Sequence, residues 1–75
     1  MKAEIGKTYR HYKNQKTYIV LHFATHTETS EQTVVYQGLY DTDDLGPKPI
    51  FVRPKDMFEE TVAVDGVLKD RFAAI

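Results

Sequence analysis

The chain of 75 residues contains no cysteine and no tryptophan, only three prolines and four glycines, and almost no net charge. Without cysteine there is neither a disulfide nor a zinc knuckle to brace a small fold, and folding in the cytosol is the natural expectation. Ten Lys plus Arg against eleven Asp plus Glu leave a formal charge of −1, so no net field favours a phosphate backbone. No window approaches the ~18 apolar residues of a membrane span. The N-terminal MKAEIGKTYR carries a lysine but no apolar run after it, so no export signal or membrane anchor is expected. There is also no Gly-rich phosphate loop and no serine in a strand-turn-helix context, which removes the usual nucleotide and nucleophile signatures. No cofactor is implied.

What is present suits one small β domain over residues 1–75. Apolar residues make up 41% and aromatics 12%, with five Tyr and four Phe, which is enough for a packed core and too much for a disordered chain. So short a chain cannot divide its core between two domains. A core of this size leaves a stability of roughly 3–5 kcal/mol.

Turn signals punctuate short strands. Gly6 to Tyr12 alternates at period two, placing Tyr9 and His11 on one face and Arg10 and Tyr12 on the other. KNQK then turns the chain, with Asn14 as the residue suited to a left-handed backbone. Lys16 to Thr25 is the strongest strand. Ile19, Leu21 and Phe23 alternate with Tyr18, Val20, His22 and Ala24, so both faces are partly apolar, as in a strand that bends sharply and changes its buried side. QTVVYQGLY forms a third strand, with Val34, Val35, Tyr36 and Leu39 of strand- or core-forming type. Phe23 and Val35 are expected inside. DTDDLGPKP is expected to be irregular, because two prolines, a glycine and three aspartates oppose pairing. Ile50 to Pro54 is a fourth strand stopped by Pro54. KDMFEE allows one helical turn near Lys55 to Phe58, with Met57 and Phe58 plugging an open end and Lys55, Asp56 and Glu59 in water. ETVAVDG is a fifth strand ending in an Asp-Gly turn. The pattern predicts a mainly β fold, a small SH3-like antiparallel barrel of about five strands with one short helical turn.

Several of these segments together resemble a known family. An aromatic-Arg-His-Tyr strand (Tyr9 to Tyr12), the segment from His26 to Thr29, a Val-Val-Tyr strand (Val34 to Tyr36), Val-Arg-Pro with Met-Phe three residues on (Val52 to Phe58) and a terminal Arg-Phe occur in that order. From Gly6 to about Phe72 the chain resembles the small bacterial family catalogued as domain of unknown function 1653. The resemblance implies a compact barrel-like domain and brings no assigned activity. Thr27 stands where the family usually has Ser, His22 where it often has a small residue, and the DTDDLGPKP loop is longer than usual.

Candidate site residues gather in the same segments. In HTETSE the hydroxyls and carboxylates are what a polar hairpin end needs, Thr27, Thr29 and Ser30 satisfying turn amides while Glu28 and Glu31 are solvated. If the strand continued through Thr27, His22, His26 and Glu28 would project together, two imidazoles and a carboxylate being the elements of an open iron site. A His26–Glu28 acid/base couple is a further reading, which would need a cleft of the ~300 Å³ that ligand pockets occupy. Between these stands a polar-aromatic binding surface of Arg10, His11, His26, Glu28, Tyr36 and Arg53. Arg53 is expected either to pair with a carboxylate such as Glu28 or to offer its planar fork to an anionic group. The tyrosines either margin the core with hydroxyls in water or form a stacking surface. The reading favoured is a binding module for a protein or peptide partner, monomeric or weakly dimeric. Nucleic acid ranks below it, and a small metal-dependent or acid/base enzyme is the alternative.

Overall fold

A computed structural model describes residues 1–75. About 53% of the chain is strand and 5% helix. In chain order the elements are β1 (Thr8–His11), β2 (Thr17–Thr25), β3 (Gln32–Gly38), β4 (Asp41–Thr42), β5 (Gly46–Pro47), β6 (Ile50–Pro54), α1 (Lys55–Phe58), β7 (Thr61–Val64), β8 (Val67–Asp70) and β9 (Phe72–Ala74). No helix is long and apolar enough to cross a membrane.

Five strands form one antiparallel sheet in the order β6-β3-β2-β1-β9, while β4–β5 and β7–β8 are separate two-stranded ribbons. The sheet does not close into a barrel. β6 and β9 remain its two edges, because β7 and β8 pair with each other instead of bridging them. The single helical turn falls over Lys55–Phe58 as expected from the sequence, directly after Pro54. Asp65 and Gly66 both adopt positive φ, at 51° and 78°, the conformation that Asp-Gly supplies to a two-residue hairpin.

The predicted change of buried side in β2 is made by a bulge. Val20 lies opposite Tyr36 and His22 opposite Val35, so Leu21 has no partner and the register shifts there. An extra residue bends the strand and increases its twist. Tyr18 and Val20 therefore face inward before the bulge, and Phe23, opposite Val34, joins the same face after it.

The core is more aromatic than expected. Tyr9, Tyr18 and Tyr36 are buried with Val20, Val34, Phe58, Phe72 and Ala3, and their rings meet mostly edge to face. Tyr36 and Phe58 lie 5.2 Å apart, Tyr36 and Phe72 5.5 Å, and Tyr9 and Phe58 5.7 Å. A buried hydroxyl is costly unless bonded, and each of the three has a partner. Tyr9 Oη accepts the Glu4 N–H at 2.9 Å, Tyr18 Oη accepts Asn14 Nδ2–H at 3.2 Å and contacts Tyr40 Oη at 3.0 Å, and Tyr36 Oη accepts Arg53 Nε–H at 3.3 Å.

Several local expectations need correction. Phe23 is 37% exposed, lying past the bulge with the Lys55 ammonium 5.3 Å from its ring. Val35 is only half-buried, on the face away from the core. Gln15, not Asn14, takes the left-handed backbone at φ 61°, while Asn14 Oδ1 accepts the Lys16 N–H at 2.8 Å. The DTDDLGPKP segment does pair, through Asp41 opposite Pro47 and Thr42 opposite Gly46. Gly46 at φ 80° makes this possible, and Thr42 Oγ1 links both sides by accepting from Leu45 N–H and donating to the Gly46 carbonyl. Of the expected plug only Phe58 is buried, Met57 being 51% exposed. Glu59 is not solvated: it takes the Ala3 N–H at 2.7 Å and the Lys55 ammonium at 2.8 Å.

Candidate functional site

Residues directly opposite in an antiparallel pair share a face. His11 lies opposite Phe72, and Arg53 opposite Val34, so His11 and Arg53 both belong to the inner face that carries Tyr9, Tyr18 and Tyr36. They meet at Phe72. The His11 ring stands edge-on to Phe72 at 4.9 Å, and the Arg53 guanidinium lies 5.3 Å from the centre of the same ring. Arg53 Nε–H is anchored on Tyr36 Oη. The guanidinium is thus oriented by an aromatic face and a hydroxyl, which leaves its terminal N–H groups without a committed acceptor.

Of the two roles expected of Arg53, the pair with a carboxylate such as Glu28 is not formed. The ion pairs of the protein join the Met1 ammonium to Asp70, Lys7 to Glu4, Lys55 to Glu59 and Arg71 to Glu60, so no carboxylate lies within 4 Å of Arg53.

Arg71 is the residue that sequence reasoning missed. It precedes Phe72 and donates from Nη2 to Glu60 Oε1 at 2.8 Å, yet its Nε is buried with no acceptor. A buried donor left unpaired costs about 1–3 kcal/mol. Arg53 and Arg71 both act on His11, whose pKa is lowered by burial first and then by Arg53, Arg71 and Lys13. The imidazole is therefore neutral near pH 7. Its Nδ1 accepts the Lys13 N–H at 3.1 Å, so the ring proton resides on Nε2. Arg53, neutral His11 and the Tyr36 hydroxyl gather around one buried phenyl ring, and Arg71, ion-paired to Glu60, adds a second guanidinium whose charge reaches His11. Such a set can hold an anionic group through charge-assisted hydrogen bonds.

The other predicted residues lie elsewhere. Arg10 is exposed on the opposite face of β1, opposite Thr17 and Ala73. With His11 it lines an open groove of about 520 Å³ beside β9, completed by Tyr12, Gln15, Lys69 and Ala73 among others. This open groove exceeds the ~300 Å³ at which ligand pockets begin. His26 and Glu28 sit at the exposed tip of the β2–β3 hairpin. There the Ser30 N–H donates to the His26 carbonyl and the His26 N–H to the Glu31 carbonyl, both at 2.8 Å, with Ser30 at φ 62°. His26 Nδ1 accepts the Glu28 N–H at 3.2 Å, and Thr29 Oγ1 the Glu31 N–H. The polar residues of HTETSE are thus used in turn chemistry. His22, His26 and Glu28 do not converge, and no three His, Asp or Glu side chains of the protein come together as metal ligands would. His26 does share a shallow depression of about 140 Å³ with Arg53, Thr33 and Val52, which makes Arg53 common to both surfaces.

The tyrosines divide similarly. Tyr36 is core with its hydroxyl at the cluster, and Tyr40 is half-buried over Gly38. Burial, a hydrogen bond to Tyr18 and the neighbouring phenols push the Tyr40 hydroxyl well above its ordinary pKa. It is a structural phenol that stays protonated.

This geometry can be set beside known proteins. The family described as "Protein of unknown function (DUF1653)" matches residues 7–74. No protein with a curated description matches. The crystal structure of a protein belonging to DUF1653 from Bordetella bronchiseptica is similar, with 35% identity and a TM-score of 0.80 over 96% of this chain and 87% of that one. The segments that carry the sequence resemblance hold the hairpin tip, the bent strand pair and the Arg71–Phe72 step, and with nearly the whole chain matched, the protein belongs to the DUF1653 family.

Proposed function

We propose that the domain is a binding module that takes an anionic group of a protein or peptide partner between Arg53 and Arg71, over the ring of Phe72. The observation that carries this reading is the state of Arg53. Its guanidinium is held in place by Tyr36 Oη at 3.3 Å and Phe72 at 5.3 Å but neutralised by no carboxylate. Orientation without neutralisation is the condition of a preorganised anion receptor, since the ordering cost is met before the ligand arrives. Arg71 Nε, buried without an acceptor, is a second donor. Neutral His11 adds an Nε2–H.

A near-neutral chain with a local cationic cluster suits one or two acidic groups on a protein better than a long phosphate track. The scaffold for this role is read as SH3-like, a strongly bent antiparallel sheet wrapped on one aromatic core, with both edges left open.

The test uses N-acetyl-glutamic acid N-methylamide as the anion and the side-chain Nε–H resonances of Arg53 and Arg71 as reporters. Saturable shifts at both, absent in Arg53→Gln, are expected. Unmoved resonances, or equal binding by folded Arg53→Gln, would sink the proposal.

A further inference from the structure

The side of β6 that faces away from β3 has no partner. Gly38 N–H donates to the Pro49 carbonyl at 2.8 Å, and opposite residues in an antiparallel ladder alternate between bonded and non-bonded pairs. Tyr36–Phe51 and Val34–Arg53 are therefore the bonded pairs, and the main-chain groups of Ile50 and Val52 point outward. No turn, loop or side-chain hydrogen bond of the protein reaches the backbone of either residue. Their side chains are also free, 61% and 65% exposed.

This edge is short and fenced. Pro54, the next outward position, has no N–H to give. Lys48, the previous one, has φ 44° and spends its N–H on the Tyr40 carbonyl at 2.9 Å. Two donors and two acceptors remain, on Ile50 and Val52. Fences of this kind prevent long strand-to-strand association but leave room for one short extended segment.

Charge selects the occupant. Lys48 and Arg53 lie on or beside β6 without an ion pair, whereas the Lys55 charge is met by Glu59. A second copy added antiparallel through Ile50 and Val52 would set its own Lys48 opposite Pro54, next to Arg53, where like charges oppose pairing. An acidic segment is attracted instead.

We infer that the open edge of β6 receives an extended segment of a partner protein, running antiparallel, with the order acidic–apolar–any–apolar. The two apolar residues lie opposite Val52 and Ile50, and each exchanges two main-chain hydrogen bonds. The acidic residue lies opposite Arg53 on the inner face. This inference rests on the anion-binding reading and adds to it a mode of docking and a sequence pattern.

The probe is acetyl-Ser-Glu-Val-Thr-Val-Ser-amide, observed by amide hydrogen exchange and by the Arg53 Nε–H resonance of the parent protein. Two control probes carry Lys in place of Glu, or N-methyl groups on both Val amides. Exchange at Ile50 and Val52 is expected to slow about tenfold or more at saturation, and the N-methyl probe to lose this protection. The Lys probe is expected to bind about tenfold more weakly. An Arg53 shift with unchanged exchange at Ile50 and Val52 overturns strand addition and leaves the anion site standing. No response at either reporter removes both readings. Protection that rises with protein concentration in the absence of probe assigns the edge to a second copy and overturns the inference.

Discussion

Phe58 and Phe72 stack face to face, with ring centroids 4.1 Å apart and planes 8° from parallel. One ends the lone helical turn and the other opens the last strand, so a single contact joins α1 to the far edge of the sheet. Both rings are fully buried. The same Phe72 floor carries Arg53 and His11, so the candidate site is built directly on the core.

Phe58→Ala and Phe72→Ala are each expected to cost about 3–5 kcal/mol, which matches the whole stability of a domain this small. Both variants should be largely unfolded at 25 °C. Phe23→Ala, at a partly exposed position past the bulge, should cost only about 1 kcal/mol. Urea denaturation followed by tyrosine fluorescence measures all three, and a Phe58→Ala protein as stable as Phe23→Ala would show the core to be wrongly placed.

Gly38 is constrained by space. A Cβ there would stand 2.7 Å from Tyr40 Cε1, and the Tyr40 ring is pinned by its hydroxyl contact with Tyr18 and by the Lys16 ammonium 4.2 Å from its centre. Gly38→Ala should cost about 1–3 kcal/mol, as overpacking does. Combining it with Tyr40→Ala should cost less than the sum of the single changes. Strict additivity in denaturation would contradict the contact.

His11 makes stability depend on pH in a defined direction. Its folded pKa lies below the ordinary 6.5, so in the window beginning near 6.5 and running downward the unfolded chain holds more protons and stability falls on acidification. Above that window the group contributes no slope. Comparing parent and His11→Gln melting temperatures between pH 7.5 and 5.5 isolates the term, since the variant should lose it. Glu59 acts lower. Burial alone would raise its pKa, but the Lys55 hydrogen bond, the Ala3 amide and the N-terminal ammonium lower it below 4.5, so its contribution is present above 4.5 and lost as pH falls through the folded value. Glu59→Gln should flatten the acid limb of the stability curve without changing the slope near pH 6.

The hairpin tip should tolerate change. His26→Ala and Glu28→Gln are expected to shift stability by less than ~0.5 kcal/mol, as exposed substitutions usually do, and to leave the response of Arg53 to N-acetyl-glutamic acid N-methylamide intact. A His26→Ala protein that folds but no longer binds that anion would move the working surface to the depression His26 shares with Arg53.

What the sequence by itself determined was local. Alternation at period two put Tyr9 and His11 on one face of β1, Pro54 ended β6 and opened the helical turn, Asp65-Gly66 set the hairpin, and the two-sided apolar pattern of β2 announced a bend. These follow from steric and hydrogen-bonding rules acting within a few residues. Tertiary structure alone decided which side of each strand was dry and which distant residues met. Phe23 and Val35 have core-type side chains, yet Phe23 stays 37% exposed on the inner face beyond the packed rings and Val35 half-buried on the outer face, while three tyrosines entered the core because the fold brought a partner to each hydroxyl. Arg71 was legible only as part of a terminal Arg-Phe pair. Its place beside His11 and Tyr12 depends on β9 reaching β1 across more than sixty residues of chain, a pairing fixed by the wrapping of the open sheet on its aromatic core and by no pattern within any single segment.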